Sequence, residues 1–187
     1  MIDQNLSAEE FYSRLPELPE AGRWCELVRG GVVQLDPPSA EYGAVVLNVA
    51  RALGEFCTRT HRGYACFNTL LVARRGPDTV RRPSITFFTW ARRFSEMDAA
   101  LSERAPRLVV EVVSTDARRR QIPDKVREYH ALGTKLVWLL DLEQASVEVH
   151  RPSREVQLLP RDAALRGEGV VRGFRCEVAT LLRVPDW

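Results

Sequence analysis

Two apolar segments with a helical pattern between them constrain the fold of this chain more than any other feature. Leu108 to Val113 reads Leu-Val-Val-Glu-Val-Val and predicts a strand buried on both faces, and 135–142 predicts a second strand. Between them, apolar residues recur at helical spacing from about Pro123 to Leu132, and Gly133 follows as a helix end. A strand, a helix and a strand in this order predict a parallel pair, with the first strand near the centre of a sheet.

Glu111 is the one charged residue in the first of these strands. A buried carboxylate costs several kcal/mol unless a metal, an ion pair or hydrogen bonds compensate it. Lys125, on the predicted helix, could direct its ammonium towards Glu111 and form an ion pair or a catalytic site. The alternative is a structural ion pair between Glu111 and an arginine such as Arg118, with Lys125 on an exposed helix face. Both interpretations stay open at this level.

The rest of the chain predicts a mixed α/β (α+β) fold, with a central mixed β-sheet flanked by helices. No linker, repeat or low-complexity tract divides the 187 residues, so we expect a single domain over 1–187, with 1–20 as an N-terminal helical extension at the surface. The predicted elements are a capped helix (7–15), a hairpin (24–28 with 32–35), a long helix (40–61), strands (64–73, 85–90, 147–151 and 155–159) and a closing helix (178–182).

Composition narrows the functional classes only slightly. The chain is 45% hydrophobic and 28% charged with a net charge of +2, which is typical of a globular protein and too mild to indicate nucleic-acid binding by itself. We find neither a signal-peptide pattern nor an apolar run of roughly 18 residues, and the four cysteines are far apart. We therefore expect a cytoplasmic protein with reduced thiols and no membrane partner.

Other candidate motifs are weaker. There is no glycine-rich phosphate loop and no G-x-G-x-x-G, which argues against nucleotide hydrolysis and dinucleotide binding. Ser114-Thr115-Asp116 predicts a helix cap rather than a nucleophile, because no histidine spacing nominates a partner base. Four arginines, which are either phosphate contacts or parts of solvated faces, are candidates for nucleic-acid binding: Arg82, Arg118, Arg119 and Arg120.

An ordered set of motifs between Glu26 and Leu182 resembles the Uma2 (DUF820) family, a branch of the PD-(D/E)XK restriction-endonuclease-like superfamily. The matching segments, in chain order, are 26–31 (the family's E-L-I-D-G-E), 37–42 (S-P-P-S-x-E-H), 82–84 (Q-P-D), 108–114 (L-V-V-E-V-L-S), 125–129 (K-x-x-x-Y) and 133–141 (G-V-x-x-Y-W-L-V-D). The resemblance implies a restriction-endonuclease-like core and a phosphodiesterase that acts on DNA with Mg²⁺ or Mn²⁺.

Carried over by position, the resemblance implies a metal ligand at Glu111, an auxiliary metal-binding carboxylate at Glu26, and a catalytic lysine at Lys125. Ser84 departs from the pattern, because it stands where the family has its aspartate. A hydroxyl is a poorer Mg²⁺ ligand than a carboxylate, so metal binding should be weakened. Tyr42 replaces a histidine of the family, and Asp78 lies in a turn and does not substitute for the missing aspartate.

Two functional hypotheses follow. The first is a weak or relic Mg²⁺-dependent DNA endonuclease with a catalytic set of Glu26, Glu111, Lys125 and the defective position Ser84. The second is a catalytically silent module that binds nucleic acid or a protein partner through the same cleft, as a homodimer. Ser84 is the feature that favours the second hypothesis.

Overall fold

The computed structural model describes residues 5–89 and 100–185 of the chain. The strands are β1 (Cys25–Val28), β2 (Gly31–Gln34), β3 (Tyr64–Phe67), β4 (Leu70–Arg74), β5 (Thr79–Arg81), β6 (Ile85–Phe88), β7 (Leu101–Ser102), β8 (Leu108–Val113), β9 (Leu136–Asp141), β10 (Ser146–His150), β11 (Gln157–Leu159), β12 (Ala164–Arg166) and β13 (Arg175–Glu177). The helices are α1 (Ala8–Arg14), α2 (Ala40–Thr60), α3 (Asp116–Leu132) and α4 (Val178–Leu181).

A six-stranded mixed sheet forms the centre of the molecule. Its strand order is β11-β10-β9-β8-β6-β3, so β8 is an inner strand, as predicted. β8 runs parallel to β9 with Val110 opposite Trp138, and antiparallel to β6 with Ile85 opposite Val110. All six residues of β8 are buried, because the sheet is covered on both faces. The predicted mixed α/β architecture is confirmed.

A second, five-stranded sheet has the order β2-β1-β5-β4-β7 and was not predicted as a separate unit. The single strand predicted over 64–73 is wrong, since β3 and β4 belong to different sheets. Asn68 lies between them with φ of 60°, a left-handed conformation that turns the chain out of one sheet and into the other. Thr79–Arg81 adds β5, whose three residues are too few to show an alternating pattern. The strand predicted over 85–90 ends at Phe88, and Trp90 lies outside the described residues.

Helix α3 is longer than the sequence indicated. The prediction started it near Pro123, whereas the helix begins at Asp116 after the N-cap Thr115, whose hydroxyl accepts from Arg118 N. An interior proline removes one helical hydrogen bond and costs roughly 3 kcal/mol. The cap, together with an ion pair between Arg119 and the buried Asp141 of β9, holds the first two turns in place nonetheless. As a result, α3 extends as one rod along β8.

Among the described residues, two small hydrophobic clusters beneath α3 and two main cores stabilise the sheets. The larger contains the inner face of α2, with Val45, Val49, Leu53 and Phe56, packed on the central sheet around Trp138. The smaller contains Ala8 and Phe11 of α1 packed on the second sheet, and both side chains are fully buried. The N-terminal helix was predicted to be a surface extension, but one of its faces completes this second core. No helix in the described ranges is both long enough and apolar enough to cross a membrane.

The burial of Phe11 gives a direct test of whether 1–20 is an appendage or part of the fold. We expect Phe11→Ala to lower the free energy of unfolding by about 3–5 kcal/mol, because it leaves a cavity against the second sheet. Urea unfolding monitored by circular dichroism measures the change. Tyr12→Ala, at the neighbouring position with 44% of its side chain exposed, is the matched control and should stay within about 0.5 kcal/mol. If Phe11→Ala changed the free energy of unfolding no more than Tyr12→Ala does, α1 would not be part of the core.

Candidate functional site

Glu111 lies on β8 and is directed towards α3. Its Oε1 accepts a hydrogen bond from Tyr129 Oη at 2.5 Å and one from Lys125 Nζ at 3.4 Å. Lys125 and Tyr129 are four residues apart and therefore lie on one face of α3. Oε2 of Glu111 has no hydrogen-bond partner among the described residues. The ion pair with Lys125 replaces the predicted alternative, a pair with Arg118, which contacts other groups.

Glu26 reaches the same point from β1 of the second sheet. Its Oε1 accepts from Lys125 Nζ at 2.8 Å and from the backbone N–H of Arg82 at 3.0 Å, and its Oε2 accepts from Arg81 Nη1 at 2.9 Å. The side chain is fully buried. Arg81 also donates to both carboxylate oxygens of Glu128, at 2.7 and 3.1 Å. Both oxygens of Glu26 are therefore occupied by donors.

Electrostatics fix the protonation states of this cluster. Burial alone would raise the pKa of the Glu26 carboxyl, but the charges of Lys125 and Arg81 and the hydrogen bonds from Lys125 and Arg82 N–H lower it to about 2. Burial opposes the charge of Lys125, yet Glu111 and Glu26 raise its pKa above the ordinary value. Burial and the nearby carboxylates raise the pKa of Tyr129. Near neutral pH the site therefore contains a charged lysine and a neutral phenol that donates.

Ser84 lies immediately before β6 and is connected to Glu111 through the backbone. Its Oγ accepts from the N–H of Val112 at 3.1 Å and is 3.0 Å from Tyr42 Oη. Because Ile85 opposite Val110 begins the β6–β8 ladder, the Ser84 hydroxyl satisfies a strand N–H beyond the end of that ladder. Ser84 was predicted to belong to the site from its motif position. In the structure, its hydroxyl contacts the N–H of Val112 and the hydroxyl of Tyr42.

The four arginines predicted to bind nucleic acid occupy different environments. Arg118 Nη2 donates to the Asp36 carbonyl at 2.7 Å, and its guanidinium lies over the rings of Tyr42 and Trp24, 5.3 and 5.9 Å from their centroids. Arg119 is committed to its ion pair with Asp141. Arg82 and Arg118 line a cleft next to Ser84, whereas Arg120 is exposed on α3.

This Ser84 cleft has a volume of about 160 Å³. Leu35, Val46, Pro83, Asn68 and Ser84 form part of its wall, and the other lining residues are arginines and aromatic residues: Arg23, Arg82, Arg118, Trp24, Tyr42 and Phe67. None of the described residues that line it is acidic. The cleft therefore has a positive wall, and its lining includes Ser84 but none of the ion-pair residues Glu26, Glu111, Lys125 and Arg81.

Sequence reasoning missed three members of the cluster: Arg81, Glu128 and Tyr129. Arg81 is one of many arginines and carries no distinguishing spacing, so no signal in a single sequence singles it out. Tyr129, present in the K-x-x-x-Y match, was predicted to be a core residue at helical spacing and is buried against Leu71, Val109 and Val137, but its hydrogen bond to Glu111 was not predicted. A tyrosine four residues after a buried lysine on the same helix face was the available signal.

The residues of the cluster do not fit a Mg²⁺ ion. Mg²⁺ requires near-octahedral oxygen ligands, with one or two carboxylates among them. Both oxygens of Glu26 hold donors, one oxygen of Glu111 holds Tyr129 and Lys125, and the Ser84 hydroxyl accepts from Val112. Within the described residues, no group of three histidine, cysteine or carboxylate side chains is arranged to hold a metal ion. Only Glu111 Oε2 is left as a free carboxylate oxygen, whereas the resemblance to the family implies an aspartate and a glutamate that hold the metal together.

Comparison with known proteins identifies the family of this chain. The Uma2 family model, described as "Putative restriction endonuclease", matches residues 8–179. The chain belongs to the Uma2 family. The Uma2 chain is also similar to the crystal structure of a DUF820 protein from Anabaena variabilis, described as a putative nuclease. The TM-score is 0.78 with 20% sequence identity, over 95% of this chain and 97% of the other. Comparison with curated proteins returned no match.

These likenesses confirm the predicted family and fold class of the Uma2 chain. Because the two chains are only 20% identical, the similarity to the Anabaena variabilis structure supports the fold alone. In coarse terms, the family supports a nuclease and suggests a DNA substrate. The homodimer, the cytoplasmic location and the individual roles of the site residues stay predictions.

The lowered pKa of Glu26 predicts a specific acid sensitivity. Since the pKa falls from 4.5 to about 2 on folding, the stabilisation is present above about pH 4.5 and is lost as the pH falls towards 2. The drop corresponds to about 3 kcal/mol. We expect Glu26→Gln to lower the free energy of unfolding at pH 7 by about this amount and to flatten its decline between about pH 4.5 and 2.

Urea unfolding at a series of pH values measures both effects. Glu55→Gln removes an exposed carboxylate of α2 and is the matched control, which should leave the pH profile unchanged. Parallel profiles for the native chain and Glu26→Gln would contradict the proposed charge state of the cluster.

Proposed function

We propose that this chain is a restriction-endonuclease-like domain that binds DNA but cleaves it weakly or not at all. One observation carries the proposal: both oxygens of Glu26 are held by Lys125, Arg81 and the N–H of Arg82. A carboxylate whose lone pairs already accept three charge-assisted or backbone bonds has to break them before it can ligate a metal. Glu26 therefore acts as a structural anion.

Ser84 accounts for the second part of the loss. From the resemblance to the family, a metal-binding aspartate is expected at this position, and serine supplies a neutral hydroxyl instead. That hydroxyl is engaged with Val112 N–H and lies 3.0 Å from Tyr42 Oη. The site is thus short of negative charge on two counts, the missing aspartate and the neutralised Glu26.

Lys125 does not compensate as a general base. Its ammonium is buried and its pKa is raised by Glu111 and Glu26 against the effect of burial, so it stays protonated near neutral pH. A general base needs a pKa near the working pH. In this site Lys125 neutralises two carboxylates and joins β1 to β8 through α3.

Binding of DNA is supported by charge on the open side of Ser84. Arg82 and Arg118 line the Ser84 cleft, whereas Arg120, two residues after Arg118, is exposed on another face of α3. Neutralising several phosphates supplies most of the sequence-independent affinity for DNA. Arg119 contributes little to such binding, because Asp141 already neutralises it.

A cleavage assay separates loss of activity from retained activity. With plasmid or single-stranded DNA and Mg²⁺ or Mn²⁺, we expect the native chain to cut no faster than Glu111→Ala. Ser84→Asp should raise the rate above that background, and the double change with Glu111→Ala should abolish the gain. Ser84→Asn, which matches the size of aspartate without its charge, is the control. Robust cleavage by the native chain that Glu111→Ala abolishes would overturn the proposal.

Metal binding can be measured without any turnover. We expect Mg²⁺ at millimolar concentration to leave the Tm of the native chain unchanged in differential scanning fluorimetry. Ser84→Asp places a second carboxylate beside Glu111, so its Tm should be lower without metal and rise by about 3 °C with Mg²⁺, which corresponds to roughly 1 kcal/mol. Ser84→Asn should show no rise. A Mg²⁺-dependent rise in the native chain would contradict the poor fit to the metal.

A further inference from the structure

The Ser84 cleft has a chemical character that the ion-pair cluster does not explain. Three arginines and three aromatic side chains contribute to its lining, and no acidic residue does so among the residues described. The guanidinium of Arg118 is held by the Asp36 carbonyl and the faces of Tyr42 and Trp24, none of which cancels a full charge. The cleft therefore suits a ligand that is both anionic and planar.

Arg82 is held in the same way. Its Nη1 donates to Asn68 Oδ1 at 2.5 Å and its Nη2 to the Gly22 carbonyl at 3.2 Å. Neither partner is charged, and the nearby Glu26, which accepts the backbone N–H of Arg82, forms its side-chain ion pairs with Lys125 and Arg81. Two guanidinium groups are thus fixed in orientation while their positive charge remains available to an anion.

Phe67 supplies a flat apolar surface at the edge of this positive wall. It is the last residue of the edge strand β3, lies opposite Ile85 next to Ser84, and leaves 74% of its side chain exposed. The left-handed Asn68 that follows it turns the chain away, so the ring ends the strand at the cleft. An exposed aromatic ring next to fixed arginines is the arrangement on which proteins stack the bases of single strands.

Size restricts what the cleft accepts. Its volume of about 160 Å³ is below the roughly 300–1,000 Å³ of pockets that enclose whole small-molecule ligands. One planar ring fits such a space, whereas a dinucleotide or a base pair does not. In a duplex the bases are stacked on one another, and extruding one costs a few kcal/mol.

From these features we infer that the Ser84 cleft binds one unpaired nucleotide of a single strand, with its base stacked on Phe67 and its phosphate directed to Arg118 and Arg82. The inference rests on the proposed function and specifies its substrate class as single-stranded nucleic acid. Affinity for single strands exceeds that for duplex, and the difference depends on the ring of Phe67.

Fluorescence anisotropy in the presence of EDTA tests this, with a labelled oligothymidylate and a labelled duplex of equal length at one salt concentration. We expect Phe67→Ala to weaken single-strand binding by about 5- to 150-fold, the range expected for one lost base–aromatic stack, and to change duplex binding less than about twofold. Phe67→Trp should restore single-strand affinity, and Phe67→Leu, which is apolar but not aromatic, should not. Leu158→Ala removes another exposed apolar side chain, on β11 and outside the cleft lining, and should have no effect.

The outcomes separate the inference from the proposed function. Equal affinity for single strand and duplex, or single-strand affinity unchanged in Phe67→Ala, overturns the stacking site and leaves DNA binding intact. No measurable binding of either probe by the native chain overturns both. Because Phe67 is mostly exposed, the Tm of each variant should match that of the native chain, and a matching Tm excludes misfolding as the cause of weakened binding.

Discussion

A buried carboxylate between two cations joins the two sheets of this protein. Glu26 lies on β1 of the second sheet and meets Lys125 of α3 and Arg81 of β5, and Lys125 also reaches Glu111 on β8 of the central sheet. Removing one member of a buried ion pair leaves an uncompensated charge, which costs more than the pair itself contributes. The ion pairs of Glu26 and Lys125 therefore fix α3, β1 and β8 relative to one another. Removing the charge of either residue affects the contacts of all three elements.

Because of these ion pairs, the carboxylate of Glu26 is not free to act as a metal ligand. In a metal-dependent nuclease, carboxylates hold a divalent ion that offsets the charge of the phosphodiester. In this chain, internal cations hold Glu26, and the position of the expected aspartate is a serine whose hydroxyl completes a strand end. An oxygen that accepts internal hydrogen bonds is not free to ligate a metal. In this chain, the oxygens of Glu26 and Ser84 accept internal hydrogen bonds that stabilise the fold.

Much of the arrangement was accessible from the sequence because strong local patterns set it. The apolar run around Glu111 and the helix before Gly133 predicted the parallel pair, and their motif order predicted the family. The second sheet was missed because β5 has three residues and because a single left-handed residue, Asn68, divides what reads as one strand. Arg81 was missed for another reason: its partners, Glu26 and Glu128, are 55 and 47 residues away, and no local pattern records such a contact.

Ser84 separates two regions of opposite electrostatic character. Behind it, the three carboxylates Glu26, Glu111 and Glu128 outnumber the two cations Lys125 and Arg81, so that region does not attract an incoming phosphate. In front of it, Arg82 and Arg118 are fixed by neutral groups and remain positive. Under the proposed function, a polynucleotide binds at the front of Ser84, and no carboxylate at residue 84 holds a metal between the two regions. On that proposal, a single side chain accounts for retained binding together with lost cleavage.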